Sequence, residues 1–369
     1  MKLATFMMPV HPPGRNLVET LAEDRAAILL AERLGYVEAY VGEHLTDLSE
    51  NVTSCTMFLA SVAHETRNII LGTGTINMPN THPVVVAAQV AMLDHMLEGR
   101  LIMGISPGGL MSDAEVFGNL DSDRQAMFLE SIDTILALWA GEPPYDIQGK
   151  YWTISTARTM MTDIGQGFIG KPLQQPHPPV IVTAVAPFSK GVTAAAARGW
   201  DPISANFLMP KWVATHRSAY LDGCAQGGRP GDLSNWRVAK SIFVGDDLAT
   251  ARAYARGAGS SYVFYYQHLL TKLVKNGRAE LFKEDRAQPD SAVTLEGVLD
   301  KLVIYGTPDK VADEILAFRE EVGAFGTLLY AGKDWREPAL DKKSMRLMAE
   351  EVLPRVNAAL PRDQVEAAE

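Results

Sequence analysis

The chain has 369 residues, 47% hydrophobic and 21% charged, which fits one large α/β barrel with insertions or two ordinary domains. Its 34 basic and 44 acidic residues leave a formal net charge of -10, which argues against the clustered basic surface a nucleic acid requires. Cys55 and Cys224 lie far apart and outside any metal-ligand spacing, so they read as two reduced apolar thiols. No apolar run approaches the roughly 18 residues of a membrane helix. The first residues read at once as a strand, not as a signal segment, so a cytoplasmic location is expected, with no membrane partner.

Apolar runs of strand length then alternate with helical periodicity. Residues 3–8 read as a first strand, followed by the loop His11-Pro12-Pro13-Gly14 and a helix over 17–34. A second strand covers 36–41 and a helix 53–65. The third strand is 69–75, and the helix over 83–97 opens on Pro83, whose missing N–H costs nothing in a first turn. Strand four is 101–105, followed by a long helix over 123–139.

The alternation breaks over 141–179, which is rich in proline and glycine and too long for an ordinary crossover. Within it, 143–152 looks like a small hairpin turning at Gln148-Gly149. Strands at 180–183, 201–205 and 237–244 follow, with helices at 189–198, 210–224 and 248–257. A second irregular stretch, 260–299, carries aromatic residues at 262, 264, 265 and 266 that read as a lid. Thr307-Pro308 starts a helix to about 322 with a hydroxyl cap and a first-turn proline. The last strand is 326–330, an amphipathic helix covers 344–360, and 361–369 form a polar tail.

Eight strands, each followed by a helix, predict parallel pairing and right-handed crossovers. The expected fold is α/β, a single (β/α)8 TIM-barrel domain over 1–360 with insertions after strands four and seven. A doubly wound open sheet is the alternative. No Gly-x-Gly-x-x-Gly opens a helix after the first strand.

The chemistry should sit where polar and glycine residues follow successive strands, since an α/β barrel builds its ligand site at the carboxyl ends of its strands. Three such segments are Gly42-Glu43-His44, Gly72-Thr73-Gly74-Thr75 and Gly104-Ile105-Ser106-Pro107-Gly108-Gly109. Glycines there let backbone approach a flat ligand. A histidine titrates near working pH, so His44 reads either as a core residue or as an acid–base group. No His-x-His pair or clustered carboxylate set follows any strand, so no metal is expected.

The motifs Glu43-His44, Gly72-Thr73-Gly74-Thr75, Pro79-Asn80-Thr81-His82-Pro83-Val84, the run 93–106, Val116-Phe117-Gly118 and Gly306-Thr307-Pro308-Asp309-Lys310-Val311 occur in an order that resembles the bacterial luciferase-like flavin-dependent monooxygenases. Val182-Thr183-Ala184, Phe188-Ser189-Lys190 and Ala197-Arg198-Gly199 are similar to the group holding the diketocamphane (type II Baeyer–Villiger) and limonene-type monooxygenases. The resemblance implies a two-component enzyme. It would take FMN reduced by a separate NAD(P)H:flavin reductase and, with O2 as cosubstrate, oxygenate a small apolar organic substrate through a flavin C4a-(hydro)peroxide. A deazaflavin (F420)-dependent hydride-transfer enzyme and a non-catalytic flavin-binding protein are the alternatives. The resemblance also implies a homodimer.

It implies roles for particular residues as well. His44 would act beside the flavin, and Glu43 would orient backbone or flavin polar groups. Thr73, Gly74 and Thr75, with a cis Gly74–Thr75 peptide, would meet the flavin, as would Ser106, Gly108, Gly109, Thr183 and Ala184. Pro107 stands where the family often has a larger or cationic residue, so contacts there must come from Ser106 or the two following amides. Ser189, Lys190 and Gly191 open a helix and suit a phosphate dianion, although Ser189 reads equally as a plain N-cap. Phe6, Met8, Met78, His82, Met111, Trp200, Phe207 and Met209 form either an apolar substrate chamber or ordinary core.

Overall fold

The computed structural model describes residues 1–8 and 10–361, so the tail expected at 361–369 lies outside them from residue 362 on. In chain order the strands are β1 (Lys2–Met7), β2 (Glu38–Val41), β3 (Ile70–Thr73), β4 (Ile76–Asn77), β5 (Leu101–Ser106), β6 (Asp146–Gln148), β7 (Thr153–Ser155), β8 (Val180–Ala184), β9 (Asp201–Ser204), β10 (Arg237–Val244), β11 (Val303–Gly306) and β12 (Thr327–Ala331). The helices are α1 (Leu17–Arg33), α2 (Cys55–Ala60), α3 (Pro83–Met96), α4 (Met111–Val116), α5 (Arg124–Ala140), α6 (Lys190–Ala197), α7 (Pro210–Gln226), α8 (Leu248–Arg256), α9 (Ser261–Lys275), α10 (Leu295–Leu302), α11 (Pro308–Val322), α12 (Pro338–Leu347) and α13 (Leu353–Ala359).

The sheet runs β10-β12-β1-β2-β3-β5-β8-β9, and pairing of β9 with β10 closes it. This is the (β/α)8 barrel that the alternation predicts. Strands of a closed parallel sheet are covered on both faces, which is why they read as continuous apolar runs. β11 was not expected: it pairs with Ser241–Val244 of β10, beyond the Arg237–Val238 stretch that pairs with β9. Its four residues are too short to show between two helices. No helix among the described residues is long and apolar enough to cross a membrane.

The chain divides into two compact units, Tyr40–Ile181 and Met1–Ala39 with Val182–Glu369. In the first, Ser54 and Asp123 cap α2 and α5, accepting from Met57 N at 3.3 Å and Ala126 N at 3.0 Å. α2 is shorter than the helix expected over 53–65. After Ala60 the backbone bonds tighten to three-residue spacing, from Ser61 N to Phe58 O and from Ala63 N to Ala60 O. The hairpin expected in the first insertion is β6–β7, with its turn over Gly149–Trp152 closed by a 2.9 Å bond from Gly149 N to Trp152 O. The Glu130 carboxylate accepts from the amides of Lys150, Tyr151 and Trp152 at 2.8–3.0 Å and fixes that turn.

Two strand glycines in this unit are set by close packing. A Cβ on Gly72 would stand 2.3 Å from the Tyr40 ring, and one on Gly104 would stand 1.9 Å from the Thr73 carbonyl oxygen. Protein fills the space at both, which corrects the expectation that these glycines admit a ligand.

In the second unit, Trp236 is fully buried and donates from Nε1 to Ser204 Oγ at 2.9 Å. Arg237 forks onto both oxygens of Glu38 at 2.7 and 2.6 Å, so this buried charge is paired. Half of the second insertion is helical, as α9 and the start of α10. The lid reading of its aromatic cluster is corrected: Tyr262, Tyr265 and Tyr266 are buried. Tyr262 donates to Ile242 O at 2.6 Å, and Tyr266 to Ser241 Oγ at 2.9 Å. Their hydroxyls anchor α9 to the end of β10. Thr307 precedes α11, but its side chain makes no capping bond. The last helix begins earlier than expected, at Pro338, and passes through a π turn at Met348–Val352 into α13.

Candidate active site

In Tyr40–Ile181 the segment after β2 is held by acids. Glu43 accepts from Cys55 N at 3.0 Å and Asn77 N at 3.2 Å, while Asn77 Nδ2 donates to the Glu43 carbonyl at 3.0 Å. Glu43 thus orients backbone, one of the roles expected for it. Its carboxylate ties the end of β2 to the start of α2 and to β4. From Asn77 the chain of bonds continues: Ser106 Oγ donates to Asn77 Oδ1 at 3.0 Å and accepts from Gly108 N at 3.2 Å. Gly108 sits at φ +77°, where a side chain would be strained. Gly74–Thr75 is a cis peptide, and Gly74 N donates to Val41 O at 2.6 Å.

His44 is the centre of this arrangement. Its Nδ1 lies 3.1 Å from Asp113 Oδ2 and its Nε2 3.5 Å from Glu50 Oε2. An imidazole facing a carboxylate at each nitrogen donates from both when protonated. Asp113 also accepts from Thr46 N at 2.9 Å and Thr46 Oγ1 at 2.6 Å. Burial opposes its ionisation, but the bonds from His44, Thr46 and Leu45 outweigh burial and hold Asp113 below the ordinary carboxylate range. Sequence reasoning missed Asp113 and Glu50. The sole signal was an acid in the first turn of α4, which reads as an ordinary helix-dipole partner.

In the other unit, Ser189 caps α6, its Oγ accepting from Val192 N at 3.3 Å, and Lys190 and Gly191 lie exposed in the first turn. The preceding Phe188 has φ +52°, and its amide donates to Thr215 Oγ1 at 2.9 Å. Near the end of β12, His11 bridges Asp334 at 2.6 Å and Asp24 at 3.2 Å. His11, Glu23 and Asp334 come close enough to suit a metal ion, but the Arg15 guanidinium already sits 2.6 Å from Asp334 and 3.0 Å from Glu23.

Several expected residues sit elsewhere. The Thr73 hydroxyl is spent within the sheet, donating to Gly104 O and accepting from Gly104 N. Ala184 packs in a core cluster with Val192, Tyr220 and Cys224. Met78 is fully buried. Trp200 precedes β9 and so lies at its amino end, which corrects its placement at the carboxyl mouth. His82 caps α3 through Nδ1, and Met111 is exposed beside Arg124. Phe6 and Met209 are buried, whereas Thr183, Phe207 and Met8 are partly buried at the ends of β8, β9 and β1, Gly109 is exposed and Thr75 buried.

A family model described as luciferase-like monooxygenase matches residues 1–324. The chain belongs to the luciferase-like monooxygenase family. Among family relatives, the 4-hydroxyprotoasukamycin monooxygenase of Streptomyces nodosus subsp. asukaensis is 30% identical, over 96% of this chain and 92% of its own. The limonene 1,2-monooxygenase of Rhodococcus erythropolis is 28% identical, over 96% of this chain and 86% of its own. Among solved structures, the oxygenating constituent of 3,6-diketocamphane monooxygenase from Pseudomonas putida, a type II Baeyer–Villiger monooxygenase in complex with FMN, matches with TM-score 0.87 and 24% identity. That match covers 98% of this chain and 99% of the other. A more distant fold likeness, at TM-score 0.67 and 18% identity over 96% of this chain and 99% of the other, is to an F420-dependent secondary alcohol dehydrogenase.

Proposed function

We propose that this protein is the oxygenase half of a two-component flavin-dependent monooxygenase. It takes FMN reduced by a separate NAD(P)H:flavin reductase and, with O2, oxygenates a small apolar organic substrate such as a cyclic ketone or terpene. The observation that carries this reading is His44 held between Asp113 and Glu50 just beyond β2. The same unit presents Gly74-Thr75, Asn77 and Ser106 at the ends of its own strands. The FMN in the diketocamphane structure and the monooxygenase activity named for both relatives support it.

The donor set fits the cofactor. Ser189 accepts from Val192 N yet keeps its own O–H to donate, and Lys190 with the first-turn amides of α6 completes a hydroxyl–ammonium–amide set suited to a phosphate dianion. When bound, reduced flavin supplies the electrons that activate O2. His44 holds or releases a proton at its ring nitrogens, and the Asp113 carboxylate stabilises the charged ring. Glu43 keeps Asn77 and thereby Ser106 in place.

Self-association belongs to the same reading. Met57 of α2 and Val85 and Met92 of α3 are 76%, 43% and 61% exposed, an apolar face that a second copy would cover.

Rapid mixing of the protein and photoreduced FMN with O2 tests the function. Oxidised-flavin absorbance should return more slowly than in free solution, and return at the free rate would defeat the reading. The fold shared with an F420-dependent enzyme gives a second reading, hydride transfer with a deazaflavin. Substrate turnover that persists without O2 would favour it.

A further inference from the structure

Val185-Ala186-Pro187-Phe188 lead from β8 to Ser189 at the head of α6, all within the unit that holds Val182–Glu369. Three side chains from elsewhere in that unit grip this short loop. Arg278, three residues after α9, donates from Nη2 to Val185 O at 2.9 Å. His216 of α7 donates from Nε2 to Ala186 O at 2.8 Å, and its neighbour Thr215 accepts from Phe188 N through Oγ1 at 2.9 Å. Thr215 spends its own O–H on Trp212 O at 2.6 Å, so the hydroxyl is held in one orientation.

Only one proton arrangement suits the His216 ring. Trp236 Nε1 can only donate, and it occupies Ser204 Oγ at 2.9 Å. The Ser204 O–H then goes to His216 Nδ1 at 2.8 Å, which leaves the ring's proton on Nε2 for the Ala186 carbonyl. Trp236, Ser204 and His216 are all fully buried. Burial pulls the His216 pKa down to about 4 against the bond to Ala186, so the ring stays neutral and the pattern holds. A buried polar chain in which each donor meets an acceptor is rigid. His216 is therefore no acid–base group. What it does is fix Ala186.

The loop is also strained. Phe188 sits at φ +52°, a conformation a bulky residue keeps only where its surroundings over-determine it, and the Thr215 hydroxyl holds its amide. Loose carbonyl oxygens beside an anion would repel it. Both carbonyls ahead of Pro187 are instead tied to donors, which leaves the Ser189 hydroxyl, Lys190 and the first-turn amides of α6 for the anion. We propose that His216 and Thr215 are positioning residues that preset this loop, so that the FMN phosphate enters a site already formed at Ser189. The inference rests on the flavin reading and deepens it at the phosphate end.

Fluorescence titration with FMN and with riboflavin, which has the same ring and ribityl chain but no phosphate, tests it. The native protein should bind FMN at least ~10-fold more tightly than riboflavin. His216→Phe and Thr215→Val should each weaken FMN binding ~5-fold or more and leave riboflavin binding as it was, because only the phosphate loses a preformed site. His216→Gln, whose amide can donate to Ala186 O and accept from Ser204, should restore the FMN preference. A general loosening of the fold would weaken both flavins alike. An FMN preference that survives His216→Phe and Thr215→Val, or equal losses for the two flavins, overturns the proposal. Should His216→Phe fail to fold, Thr215→Val decides alone, since that side chain is only partly buried and valine matches its size. A native preference that the variants do not move removes this inference and leaves the proposed function standing. A native protein that binds both flavins equally strikes the phosphate site itself.

Discussion

His11 offers a quantitative check on the ion network that joins the β1 loop to the β12 loop. The imidazole is 4% exposed and lies between Asp24 and Asp334. Burial works against its charge, but the bonds and fields of the two carboxylates outweigh burial, and its pKa rises from 6.5 to about 9. A folded-state value above the unfolded one means that stabilisation is fully present below pH 6.5 and lost as the pH rises through 9. The shift corresponds to about 3 kcal/mol, a large share of a typical folding free energy. His11→Gln keeps a donor for one carboxylate and removes the charge. Urea unfolding followed by circular dichroism should place the variant about 3 kcal/mol below the native protein at pH 6, with the gap closing above pH 9. A gap that stays constant from pH 6 to 10 would refute the charge-based account and leave only a packing defect.

Other substitutions probe other parts of the structure. Gly104→Ala drives a Cβ to 1.9 Å from the Thr73 carbonyl oxygen, which is backbone and cannot swing away. A loss of about 2 kcal/mol or more is expected, visible as a lower urea midpoint, and an unchanged midpoint would contradict the packing. Ser189→Asp separates the two roles of that residue. An aspartate caps α6 as well as serine does, so the thermal midpoint should hold, while charge repulsion weakens reduced-FMN affinity by ~10-fold or more. Unchanged affinity would leave Ser189 as a cap alone. Asp113→Asn removes the charge facing His44, so turnover with reduced FMN should fall ~10-fold or more with the fold retained. Undiminished turnover would show that this pair does not serve the reaction.

Much of the barrel was legible because its physics is periodic. Strands such as β5 and β8 are apolar runs of strand length, and the helix starts at Asp123, Ser189 and Pro83 carry local capping chemistry. β11 was hidden because four residues carry no period. The tyrosines of α9 looked like a lid because sequence shows aromatic clustering but not where hydroxyls end, here on Ile242 O and Ser241 Oγ. Glu43 and His44 stood out by following a strand. Their supports did not: Asp113 lies 69 residues from His44, and only folding brings them to 3.1 Å.

A crystal structure with FMN bound tests the central claim most directly, because it asks whether the segments that follow β2, β3 and β5 serve the flavin. The isoalloxazine should lie against His44, Gly74-Thr75 and Ser106. A flavin seated away from His44 would contradict it.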